Sequence, residues 1–155
     1  MAALRIYVDS SVFGGYFDEE FAEASRMFFN FVNQGRIIIL VSEFVIRELV
    51  PAPEKVRTFV AALPRRSLVN LSTTPAAIQL RDAYLRARIL GPGSMIDAAH
   101  VALATVAHSD AIVSWNFKHI VRVDKMRAFN AVNLSEGYGL LSIVSPNEVR
   151  FDDDS

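Results

Sequence analysis

Short apolar runs alternate with amphipathic stretches from one end of the chain to the other. Leu4 to Val8 is an apolar run closed by Asp9-Ser10-Ser11, which reads as a buried strand followed by a turn or helix cap. From Glu19 to Asn33, apolar residues recur at helical spacing (Phe21, Ala24, Phe28, then Phe31 or Val32), and Gly35 closes the segment. Arg36 to Val41 contains five consecutive aliphatic residues, a second buried strand, and Ser42 then caps a helix running to Val50 before Pro51. Glu54 to Leu63 reads as a helix ended by Pro64, and Ser67 to Leu71 as a third strand. Thr74-Pro75 places a cap ahead of a proline at the first helical position, with the helix expected to reach Leu90. Gly91-Pro92-Gly93-Ser94 breaks it. Met95 to Ala107 is apolar on nearly every side and is therefore expected to be a central, buried helix. Ala111 to Ser114 is a fourth strand, Val123 to Leu134 a helix, and Leu141 to Val144 a fifth strand.

Short apolar strands alternating with helices predict an α/β fold, a parallel sheet of about five strands with helices on both faces. No linker or repeat divides the 155 residues, so residues 1–148 are expected to form one domain and the acidic residues 149–155 a frayed tail. In such sheets ligands sit beyond the carboxyl ends of the strands, where strand order reverses. Asp9 falls just past the first strand and Asn116 just past the fourth.

Composition alters this picture little. The chain is 52% hydrophobic and 21% charged, a globular balance. It contains no cysteine, which rules out disulfides and thiolate metal sites. The N-terminus lacks the pattern of a signal peptide and no stretch is long enough to span a membrane, so a soluble cytoplasmic protein with no membrane partner is expected. The net charge of −1 speaks against a nucleic-acid partner until its distribution is considered. Acids crowd residues 18–23 and 152–154, whereas residues 24–151 carry 15 Lys or Arg against 9 Asp or Glu. Thirteen of the 16 basic residues are arginine, the side chain better suited to phosphates and bases, although ordinary helix-surface charge accounts for the excess as well.

Three carboxylates stand out. Asp9, at the end of an apolar strand, can project into the crevice or simply cap the next turn. Asp97 follows Ser94 at capping-box spacing, yet it opens a helix so apolar that an unpaired carboxylate there is expensive. Glu48 alone is a solvated helix residue, beside the ordinary Glu43–Arg47 surface pair, and gains interest only in company. Asn116 can cap a turn or offer a neutral oxygen or amide to the crevice, and Trp115 reads as partial core. His100, one turn from Asp97, is a weak candidate for a general base. With three histidines in all and no phosphate-cradling glycine motif or nucleophile elbow, zinc, P-loop and serine-type chemistry have no support. Three oxygen-donor side chains arriving from separate elements suit a hard cation such as magnesium. Without it their charges would raise one another's pKa.

The order of these segments resembles the PIN-domain family. Val8-Asp9-Ser10-Ser11-Val12 is similar to its opening motif, and Ser42 to Leu49 to the helix bearing its glutamate, here Glu48. Asp97 to Ala104 is similar to its central helix, and Asp110 to Phe117 to its last motif, with Ser114 and Asn116 at the polar positions. The resemblance covers Tyr7 to Val144 and is nearest in size to VapC-type toxins. It implies a three-layer α/β/α PIN-like fold and magnesium-dependent RNA cleavage, with manganese as a substitute. It places the metal on Asp9, Asp97 and Glu48. On this resemblance Asn116 is expected to join these three acids as a catalytic residue, and Ser10, Ser114 and Asn116 are expected to be substrate contacts. Asn116 and His119 stand where the family often has acids.

Two other readings stay open: a non-catalytic PIN-like module that binds RNA or protein, and a receiver-like regulatory domain. The receiver reading wants paired acids after the first strand, and Asp9 has no acidic neighbour. Six phenylalanines between Phe13 and Phe31 exceed what one helix face usually buries. They predict either contact with another chain, a cognate antitoxin or a second copy in a homodimer, or a phenylalanine-rich core.

Overall fold

The computed structural model describes residues 2–152 of the chain. Five strands, β1 (Leu4–Val8), β2 (Ile37–Ser42), β3 (Leu68–Leu71), β4 (Ala111–Val113) and β5 (Ser142–Val144), form one sheet in the order β3-β2-β1-β4-β5. Every pairing is parallel, with Tyr7 beside Leu40 on one side of β1 and beside Ile112 on the other. Among the described residues seven α-helices connect and cover it: α1 (Ser10–Gly15), α2 (Ala22–Asn33), α3 (Glu43–Leu49), α4 (Glu54–Ala61), α5 (Pro75–Arg86), α6 (Met95–Val106) and α7 (Val123–Ser135). Ile6, Tyr7 and Val8 are buried in succession. Because alternate strand residues face opposite ways, such a run requires cover on both faces of the sheet. The predicted α/β fold with a central parallel sheet is therefore the one observed.

Where element boundaries differ from expectation, local hydrogen bonds explain the difference. The second helix begins at Ala22 rather than Glu19, because the Asp18 carboxylate accepts the Glu20 backbone N–H and organises a turn there. α5 ends at Arg86 rather than Leu90. Arg88 takes a left-handed conformation at φ 57°, which turns the chain so that Ile89 and Leu90 reach the core. α1 is a short helix where the sequence showed a turn or cap.

α6 is almost wholly buried, as its all-round apolar pattern predicts. Behind it, Tyr84 of α5 donates to Asn133 of α7, and the Asn130 side chain clasps Leu141 through both its N–H and its C=O. These bonds satisfy buried polar atoms and tie α5, α7 and the start of β5 together.

The phenylalanine cluster resolves in favour of the core. Phe13, Phe28 and Phe29 are buried, and Phe17, Phe21 and Phe31 are half-buried against them. Phe59 of α4 packs edge-on to Phe29 with ring centroids 4.8 Å apart. Packing within the described residues therefore accounts for the aromatic load without a second chain. Packing also continues past residue 148: Val149 is buried, and Phe151 meets Phe31 at 4.8 Å under the Arg36 guanidinium. Residues 153–155 of the expected tail lie outside the described residues.

Candidate active site

Strand order reverses at β1, where β2 lies on one side and β4 on the other. A cleft opens at the carboxyl ends of these strands, which is where a parallel sheet gathers its functional loops. It has a volume of about 540 Å³, and Asp9, Glu48, Asp97 and Asn116 all line it, with Ser10 and Ser11 on one wall. Residues contributed by the end of β1, by α3, by the first turn of α6 and by the loop after β4 thus converge on one site.

Asp9 is the most buried of the acids, 5% exposed. It caps α1 by accepting the Ser11 backbone N–H, and the Ser11 hydroxyl donates to the same oxygen. The Ser114 hydroxyl donates to its other oxygen at 2.6 Å. Capping and cleft-lining are therefore both true of this residue. Ser114, expected to touch substrate, is fully buried, with its hydroxyl on Asp9. Ser10 and Asn116 are only half-buried at the cleft wall.

Asp97 is not a capping residue. Ser94 makes no side-chain cap bond, so the capping box suggested by the spacing does not form. The Asp97 carboxylate meets the Asn116 side-chain amide at 3.3 Å. The other amide atom, the Asn116 oxygen, accepts the His119 backbone N–H at 2.9 Å and fixes the turn after β4. Glu48 contacts the His100 ring at 3.2 Å, whereas the Glu43–Arg47 pair lies on the exposed side of α3 as expected.

Burial raises the pKa of Asp9, and the nearby Glu48 charge adds to this, against relief from His100, Ser11 and Ser114. Burial likewise raises Asp97, with Glu48 adding and His100, His119 and Asn116 opposing. Burial also acts to raise Glu48, but its hydrogen bonds to His100 and Ser10 and the His100 charge outweigh it, leaving Glu48 below the usual glutamate range. A carboxyl whose pKa is raised on folding opposes folding when ionised. That opposition is full above the folded pKa and fades as the pH falls through it. Asp97→Asn is therefore expected to raise the melting temperature of metal-free protein by a few degrees at neutral pH, with the gain shrinking in acid. Calorimetry in the presence of a chelator reads this directly, and a lower melting temperature would contradict it.

Among the described residues, no three acidic or imidazole side chains stand close enough to form a ready-made metal-binding group. The donor chemistry nevertheless fits a hard cation that keeps several waters. The three carboxylates are oxygen-only, and Asp9 and Asp97 are desolvated to the point of raised pKa. Among the described residues no Lys or Arg ion pair reaches any of the three.

Two features of the site carry little signal in the sequence. One is the pair of hydroxyls, Ser11 and Ser114, that hold Asp9; the small residues around each motif were their only signal. The other is His100, noted for its place one turn after Asp97 but without its partners.

No family model matches this chain, and no curated protein matches it. Solved structures do. VapBC2 from Rickettsia felis, in a crystal structure bound to a DNA fragment from their promoter, superposes with a TM-score of 0.56 at 12% identity. The match covers 74% of this chain and 90% of that one. VapC20 from Mycobacterium tuberculosis, described as a sarcin-ricin loop cleaving toxin, gives 0.52 at 11% identity, covering 74% and 92%. At these identities the likeness concerns the fold, and the chain has the PIN-like α/β fold of these structural neighbours.

Proposed function

We propose that this chain is a magnesium-dependent endoribonuclease acting in the cytoplasm, the toxin of a type II toxin–antitoxin pair. The observation that carries the reading is the arrival of Asp9, Glu48 and Asp97 from three separate elements in one cleft at the strand-order reversal. RNA as substrate and an antitoxin as partner rest on the fold likeness to VapC20 and VapBC2. A second copy of the chain is the other partner compatible with the fold.

In this reading Asp9 and Asp97 hold the cation, with Glu48 beside them, and manganese substitutes for magnesium. When bound, the cation would supply charge for the phosphodiester and a more acidic attacking water. Ser11 and Ser114 keep the Asp9 carboxylate aimed while satisfying its lone pairs. Asn116 has two amide hydrogens, and Asp97 takes one, which leaves the other for a phosphate oxygen. Ser10 offers a further contact on the wall. Purified full-length protein should cut RNA with magnesium and stop when the metal is chelated. RNA left intact in both conditions would favour a binding module, the reading supported by the neutral Asn116 and by the lack of a ready-made metal group among the described residues.

Three carboxylates and a neutral amide provide charge for one divalent cation and little for a second. Asn116→Asp adds charge where Asp97 already stands. The new side chain keeps an oxygen for the His119 N–H, but its second oxygen replaces the amide that Asp97 accepts from. Divalent binding should tighten by about tenfold, since affinity follows ligand charge, and metal-free stability should fall. Calorimetric titration of RNA-free protein with manganese checks the first part, and thermal unfolding with a chelator present checks the second. Two tight sites in the wild type would contradict the single-cation reading.

A further inference from the structure

The three carboxylates of the cleft are not held alike. Two hydroxyls and a backbone N–H fix Asp9, and Asp97 is anchored at the start of the long buried α6. Glu48 lies on the short α3, and the Ser10 backbone N–H stands 3.4 Å away, a long contact. Both of its closer contacts come from His100, whose Nε2 is 3.2 Å from each carboxylate oxygen. An ionised carboxylate offers only lone pairs, so Nε2 must supply the hydrogen, whether the ring is neutral or charged.

The ring itself is immobilised. His100 is fully buried, and its Nδ1 lies 2.7 Å from the Tyr7 hydroxyl, which in turn lies 2.7 Å from the Ser42 hydroxyl. Tyr7 and Ser42 are also fully buried. Tyr7 and Phe44 pack against the imidazole with centroids 5.6 and 6.5 Å away. Ser42 sits at the N-cap of α3 yet makes no capping bond with its side chain, so its hydroxyl serves this chain of contacts instead.

The positions along the elements give the arrangement its use. Tyr7 precedes Asp9 by two residues at the end of β1, and His100 follows Asp97 by three on α6. The strand and the helix that carry two acids also carry the groups that hold the third. We propose that the buried Ser42–Tyr7–His100 chain is the positioning element for Glu48, setting its carboxylate in register with Asp9 and Asp97 for a divalent cation and its waters. This rests on the metal-dependent reading of the cleft.

The test uses the full-length, RNA-free protein. Manganese affinity is measured by calorimetry for the wild type, His100→Ala, His100→Gln and Tyr7→Phe, with thermal unfolding of each sample alongside. Removing a partner that orients a metal ligand weakens binding by about 10- to 100-fold, and His100→Ala should fall in that range. His100→Gln should recover most of the loss, because its amide nitrogen reaches the place of Nε2 and still donates. Tyr7→Phe should fall between them. His100→Ala binding as tightly as wild type, or His100→Gln binding as weakly as His100→Ala at equal stability, overturns the proposal. A second readout needs no metal. The imidazole nitrogens of metal-free protein, observed by NMR, should show an Nε2 proton slow to exchange with water and shifted in Glu48→Gln. A resonance unmoved by Glu48→Gln overturns the proposal as well. A wild type that binds no manganese would sink the nuclease reading, and the imidazole signal would still decide whether His100 holds Glu48.

Discussion

Replacing Asp9 by asparagine is expected to lower magnesium-dependent RNA cleavage by about a thousandfold or more while the fold stays intact. The side chain changes by one atom, so the oxygen that accepts the Ser11 N–H and hydroxyl is kept. The other oxygen becomes an amide facing Ser114, whose hydroxyl can turn to accept from it. What disappears is a negative charge in a place nearly free of solvent. A ligand charge that stabilises a phosphoryl transition state through a cation contributes several kcal/mol, and about 4 kcal/mol corresponds to a factor of about a thousand. The same burial that makes the charge useful makes it a burden without metal, because an ionised carboxylate there has lost its hydration. Metal-free Asp9→Asn should consequently unfold at or above the wild-type temperature. Single-turnover cleavage of RNA with saturating magnesium is the measurement, and a variant that cuts at the wild-type rate would refute the assignment of Asp9.

Gly15→Ala is expected to destabilise the protein by about 2–3 kcal/mol, the cost of forcing a methyl group into a packed core, and to lower the melting temperature by roughly 5–10 °C for a chain of this size. A Cβ at this position would stand 2.6 Å from the Ser25 hydroxyl and 2.6 Å from the Trp115 indole nitrogen. Those two atoms are bonded to each other at 2.9 Å directly over the glycine. The indole cannot swing aside easily, since it stacks on Phe21 with centroids 4.2 Å apart. Its backbone N–H also donates to the Ser11 hydroxyl that holds Asp9. The strain would therefore reach the cleft as well as the core. Gly14→Ala is the control: nothing lies within 4 Å of a Cβ there, and the substitution should leave stability nearly unchanged or slightly raised. Equal losses in the two variants would show that close packing at Gly15 is not the cause.

Much of this molecule can be read from one dimension. Strand and helix identity followed from periodicity, because burial on both faces of a parallel sheet leaves continuous apolar runs while helices keep a 3.6-residue stripe. The boundaries of β1 were legible because Asp9-Ser10-Ser11 ends the apolar run abruptly. The candidate acids were legible for a related reason: a carboxylate directly after a buried strand or at the head of a buried helix is costly enough to demand an explanation. Glu48 was the weakest of the three in sequence, since a glutamate on a short helix is ordinary until its neighbours are known.

Only the tertiary structure decided the remaining points. Continuous apolar strands carry no alternation that would fix their neighbours, so the order β3-β2-β1-β4-β5 came from packing rather than pattern. The spacing of Ser94 and Asp97 promised a capping box, but the backbone at Ser94 does not adopt the extended form that capping needs, and Asp97 is left to face the cleft. The six phenylalanines looked excessive for one helix face because the faces of α1, α2 and α4 that share them are brought together only in three dimensions. In the sequence His100 stands out only for its place one turn after Asp97, Ser42 only as a helix cap and Tyr7 not at all, and the three are far apart in the chain. Each becomes specific when a fully buried polar atom must find a partner, and which partners lie within hydrogen-bond reach is settled by how β1, β2 and α6 pack. Local sequence sets element type because backbone preference and side-chain period act within a few residues. The pairing of buried polar groups is set by the whole fold, because their nearest neighbours in space are remote in the chain.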